Sequence, residues 1–200
     1  MAISRASDSS IQDGLPKYND IWDGTTATSA FDSLGTVVVG SAGQASIIFS
    51  NIPATYTHLQ IRSMARSNRA SQTFDDIRLR INNDTSTTFR YHALYGDGAS
   101  ALVDTTGALA YVMGAFGSGM TGSTATANNF ASSIIDILDY SNTNKNKTIR
   151  GLCGLDNNGS GIVSFSSSLW TSTTAITSIE ISALGSTIQQ YSSFSLYGIK

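Results

Sequence analysis

Along most of this chain apolar and polar residues take turns. Residues 58–66 (HLQIRSMAR) place Leu59, Ile61 and Ala65 on one side, and His58, Gln60, Arg62, Met64 and Arg66 on the other. Residues 76–82 (DIRLRIN) repeat the pattern, with Ile77, Leu79 and Ile81 alternating with Arg78 and Arg80. A period of two with one apolar side is the mark of a half-buried strand in an antiparallel sheet. The same reading extends to 36–39, 45–50, 87–95, 108–116, 132–139, 148–153, 161–168, 176–183 and 193–199. Between them lie Asn-, Asp- and Gly-rich stretches at 82–84, 96–98, 141–144 and 156–159, residue types that tolerate positive φ or cap their own backbone. Residues 117–129 (GSGMTGSTATANN) read as a loop by composition. Some ten short strands with frequent turns and no convincing helix predict an all-β fold, an antiparallel β-sandwich or a jelly roll, which strand spacing does not tell apart.

The first 24 residues break the alternation. They carry scattered apolar side chains, Ile3, Ile11, Leu15, Tyr18, Ile21 and Trp22. Ile11, Leu15, Tyr18 and Trp22 have helical spacing, but Gly14 and Pro16 interrupt it, and a residue before proline avoids the α region. The expectation is an extended anchoring arm over 1–24 and a sandwich domain over 25–200. The alternative for the arm is a frayed terminus that contacts nothing. At the far end, Phe194 and Leu196 sit in a strand pattern and predict a core strand that ties the chain down.

Composition sharpens the picture. Hydrophobic residues are 40% of the chain and charged residues only 13%, about half the usual share. Ser and Thr, 31 and 22 of them, take over the surface, and Glu180 is the single glutamate. This favours pleated surfaces over helices. A net charge of -2 and a pI near 5.5 argue against nucleic acid as a partner, because phosphate-backbone binders carry a basic stripe. The opening MAISRASDSS has no apolar signal-peptide region, and the longest apolar run, 108–113, is far too short to span a bilayer. No membrane partner is expected, and Cys153 alone makes no intrachain disulfide.

Several stretches bear on chemistry. GSGMTG (117–122) matches GxGxxG, but the polar STATANN that follows has no helical period, and a dinucleotide site needs a helix there. DNNGSG (156–161) matches half of a calcium loop, yet its twelfth position is Ser167 rather than glutamate. A glycine-rich hairpin turn is the simpler reading. His58 and His92 stand alone in strands without metal-ligand spacing. Asp75 and Asp76 are adjacent, so in a strand their side chains point to opposite faces; a solvated turn is expected. No catalytic, cofactor or metal residue is assigned. Six of twelve basic residues fall between 62 and 90. Arg62 and Arg66 share a face, as do Arg78 and Arg80. If the two strands pair, they form a basic ladder and a candidate interface; the alternative is an ordinary solvated face.

Four segments together carry a resemblance: SSIQDGLPKYNDIWDG (9–24), SSIIDILDYSNTNKNKTIRGLCG (132–154), DNNGSG (156–161) and YSSFSLYGIK (191–200). The chain resembles a group of tailed-bacteriophage virion structural proteins, tail-fibre-like or head-decorating, from environmental and cyanobacterial phages. The resemblance implies a non-enzymatic jelly-roll-like protein of the particle surface, a homotrimer attached by its N-terminal segment to capsid or neck/tail proteins. It implies assembly in the host cytoplasm and residence in the virion. The absence of heptads or β-helix repeats favours a compact knob over a long shaft. An alternative is an adhesion module that binds host surface glycan, for which Tyr91, Tyr95, Tyr140 and Trp170 near turns are candidate stacking residues, or else core or trimer contacts.

Overall fold

The computed structural model describes residues 30–200; the arm and its apolar residues, Ile3 to Trp22, lie outside the described residues. The rest is all β, twelve strands in chain order: β1 (Phe31–Val38), β2 (Ser46–Phe49), β3 (His58–Ala65), β4 (Phe74–Ile81), β5 (Phe89–Gly96), β6 (Ala101–Leu109), β7 (Val112–Thr121), β8 (Ala131–Ile137), β9 (Lys147–Asp156), β10 (Gly161–Trp170), β11 (Ile179–Ser182) and β12 (Ser193–Ile199). They form two antiparallel sheets, β1-β12-β3-β8-β9-β10-β5-β6 and β2-β11-β4-β7. The all-β antiparallel sandwich expected from the alternation is the observed architecture, and its two-sheet plan agrees with the jelly-roll-like fold that the resemblance implies.

The core lies between the sheets. Leu59, Ile61 and Ala65 of β3 face Ile77, Leu79 and Ile81 of β4 across it, all fully buried, with Ile135, Ile137, Ile179, Ile181, Phe194 and Leu196 around them. Each Leu, Ile or Phe among them contributes about 1.5–3 kcal/mol by leaving water. The last strand is interior, paired with β1 on one side and β3 on the other.

Four sequence expectations are corrected. The basic ladder does not form, because β3 and β4 belong to different sheets. Each has one apolar side, and the two sides are satisfied by facing each other, which sends Arg62 and Arg66 to one outer surface and Arg78 and Arg80 to the other. Asp75 and Asp76 are not in a solvated turn; they lie inside β4, buried. The expected strand over 108–116 is two strands, the end of β6 and the start of β7. The first five residues of the expected loop at 117–129 continue β7. β6 itself escapes an alternation reading because it is a sheet edge exposed on both sides.

Candidate functional site

Two features of the surface stand out. The first is the outer face of the larger sheet. Its register sets Ile134, Leu152, Phe165, Leu94 and Val103 side by side across β8, β9, β10, β5 and β6. Their exposures are 40, 54, 46, 54 and 80%. Beside this apolar row runs a polar one, Gln60, Asp136, Arg150, Ser167, His92 and Thr105. Asp136 accepts from Gln60 at 2.8 Å and faces Arg150 at 3.5 Å. Strand alternation places both rows on one face, since directly opposed residues in neighbouring strands point the same way.

The second is a cavity of about 230 Å³ at Asp76. The ladder between β4 and β7 is interrupted here. Asp75 pairs with Met120 and Ile77 with Ala115, so residues 116–119 of β7 swing out opposite Asp76. The excursion is a large β-bulge, four residues of β7 against one of β4, a device that re-aims side chains. Gly117 adopts φ +69°, a conformation glycine takes without strain, and its N–H donates to Asp76 Oδ1 at 2.6 Å. Phe116 is carried to the cavity wall, where its ring lies 5.5 Å from those of Tyr91 and Tyr95. Phe74, Ile162 and Arg69 complete the lining.

The two carboxylates live differently. Asp75 is saturated: it accepts from Ser67 Oγ (2.7 Å), Ser186 Oγ (2.6 Å), the N–H of Asp76 (2.8 Å) and the N–H of Leu184 (3.3 Å), with Arg69 Nη1 at 3.4 Å. Asp76, only 6% exposed, has the single bond from Gly117. Its second oxygen has no partner among the described residues. Burial pushes its pKa above the ordinary aspartate value; the Gly117 N–H pulls against this, Asp75 adds to it, and Arg69 and Arg78 oppose it.

The predicted interface arginines are mostly engaged within the chain. Arg62 is exposed, donates to Gln60 at 2.8 Å, and stacks over Phe31 and Tyr197 at 5.1 and 5.6 Å. Arg66 binds the carbonyls of Ala125, Thr126 and Asn129 at 2.9–3.1 Å and so fastens the loop after β7. Arg78 lies 4.0 Å over the Tyr111 ring, and Arg80 pairs with Glu180 at 3.1 Å. Of the aromatic candidates, Tyr91, Tyr140 and Trp170 are core; Tyr95 alone lines the cavity. GSGMTG is strand and bulge, and DNNGSG closes the β9–β10 hairpin through Asn157 N–H and Ser160 O.

Sequence reading missed Asp76, Phe116 and Arg69 as neighbours. Two signals pointed there: a carboxylate pair inside a strand pattern, and a Gly-Ser-Gly interrupting one.

Comparison with known proteins finds no matching family model, no matching curated protein and no matching solved structure.

Proposed function

We propose that this chain is a non-enzymatic structural protein on the surface of a tailed-phage particle, a head decoration protein or a compact neck or tail element, attached through residues 1–24. The observation that carries the reading is the apolar row from Ile134 to Val103. Five half-exposed side chains in one row of the sheet present on the order of 400 Å² of apolar surface, the size of the largest patch on an ordinary monomer, and such patches are often functional. A rigid sandwich with such a flank suits repeated lateral contacts, either with further copies in a homotrimer or with capsid or tail proteins. In a particle, many weak contacts of this kind add by avidity.

The test is immunogold labelling of purified particles with an antibody to the chain. Gold over the head supports decoration, and gold at the neck or tail supports a fibre-like element. Particles without gold overturn the reading.

A second reading, a host-glycan-binding adhesion module, is favoured by one observation, the aromatic-walled cavity at Asp76.

A further inference from the structure

The cavity at Asp76 has a floor, walls and a rim of different chemistry. On the floor is the second oxygen of the Asp76 carboxylate, which has no partner among the described residues and can accept from a donor that enters the cavity. Tyr95, Phe116 and Ile162 give apolar walls. At the rim, Arg69 spends one Nη on Asp75, and its other guanidinium N–H groups have no partner among the described residues. The bulge of β7 builds all this by interrupting the β4–β7 ladder, the outermost ladder of the smaller sheet. Bulges concentrate at sheet edges and next to active sites, and this one is an edge bulge that opens a cavity.

We infer that this cavity binds one neutral pyranose ring, the terminal unit of a glycan. The inference rests on the glycan-binding reading above and gives it a site. Charge selects the ligand class. Asp75, Asp76, Arg69 and Arg78 balance to zero, so a neutral guest keeps that balance. A cation would approach the Arg69 rim, and an anion would meet the Asp76 floor. A sugar hydroxyl both donates and accepts, so one serves Asp76 Oδ2 while its neighbour accepts from Arg69. The C–H face of the ring lies against Phe116 and Tyr95, as sugars lie on aromatic faces. The volume, about 230 Å³, is below the 300–1,000 Å³ of sites for larger ligands and admits a single ring.

The experiment is saturation-transfer NMR on the full chain with methyl glycopyranosides of glucose, galactose, mannose, fucose and N-acetylglucosamine, and with glycine betaine as a zwitterionic probe. The variants are Asp76→Asn, which keeps the acceptor for Gly117, and Tyr95→Ala, which removes one wall. Circular dichroism confirms that both fold. We expect transfer to at least one glycoside, an affinity about tenfold or more weaker in Asp76→Asn, as loss of a bond to a charged group implies, and a weaker affinity in Tyr95→Ala, which loses a stacking face. Transfer that both variants leave intact overturns the site while the glycan-binding reading stands. No transfer from any glycoside overturns both. Transfer from betaine alone replaces the sugar with a zwitterion and overturns the ligand class.

Discussion

The carbonyl oxygen of Gly114 lies so close to Gly151 that a Cβ at 151 would sit far inside van der Waals contact distance of it. Here β7 lies directly on β9 and β10. Ser168 and Ser166 donate hydroxyls to the carbonyls of Met113 and Gly114, at 2.9 and 3.4 Å, and Ser164 donates to Phe116 O. These carbonyls belong to an edge strand of the smaller sheet, and the serines close that edge against other chains. Gly151→Ala should therefore cost at least about 3 kcal/mol, the upper end for overpacking. Gly154→Ala, three residues on, meets only ordinary contacts at 3.6 Å and should be neutral or stabilising by up to about 1 kcal/mol. Urea unfolding of the two variants checks the contrast; equal effects would mean that the close approach is not what holds β7.

Asp76 makes stability depend on pH with a definite sign. Its folded pKa is raised above the unfolded value of 3.8. The folded state thus holds the proton more tightly, so this contribution is complete below pH 3.8 and is lost as pH rises through the folded pKa. The charges facing it are Asp75, Arg69 and Arg78. Asp76→Asn keeps an acceptor for Gly117 without the charge. It should be more stable than the parent at neutral pH and show a flatter dependence above pH 4. Denaturant midpoints from pH 4 to 8 decide this, and a uniform loss at every pH would contradict it.

Lys147 is fully buried, and its ammonium donates to three backbone carbonyls, Asn142 at 2.6 Å, Lys145 at 2.8 Å and Thr173 at 3.1 Å. Its three donors match three acceptors. The group ties the 142–146 turn to the segment after β10, and burial lowers its pKa. Lys147→Met fills the space but strands the carbonyls, with an expected loss of about 3 kcal/mol. A loss under about 1 kcal/mol would show that water replaces the ammonium freely.

Much of the fold was legible in the residues because a half-buried strand writes its two faces into every second position. Leu59, Ile61, Ile77, Leu79, Phe194 and Leu196 could be assigned to the core from spacing alone, and all six are there. β6 was not legible, since an edge exposed on both faces selects no alternation. Nor were 117–121, whose glycines read as loop although 117–119 lie in a bulge and 120–121 pair with β4.

Alternation along the chain thus determined which side of each strand is apolar, and with it the sandwich. It could not say which strands become neighbours, because pairing depends on how the faces close over one core. That closure parted Arg62 from Arg78, aligned Ile134 with Val103 four strands away, and brought Arg69, Asp76, Tyr95 and Phe116 around one cavity. Buried polar groups such as Asp75 and Lys147 followed the same logic, since their partners come from distant segments that only the folded sheets bring within hydrogen-bond reach.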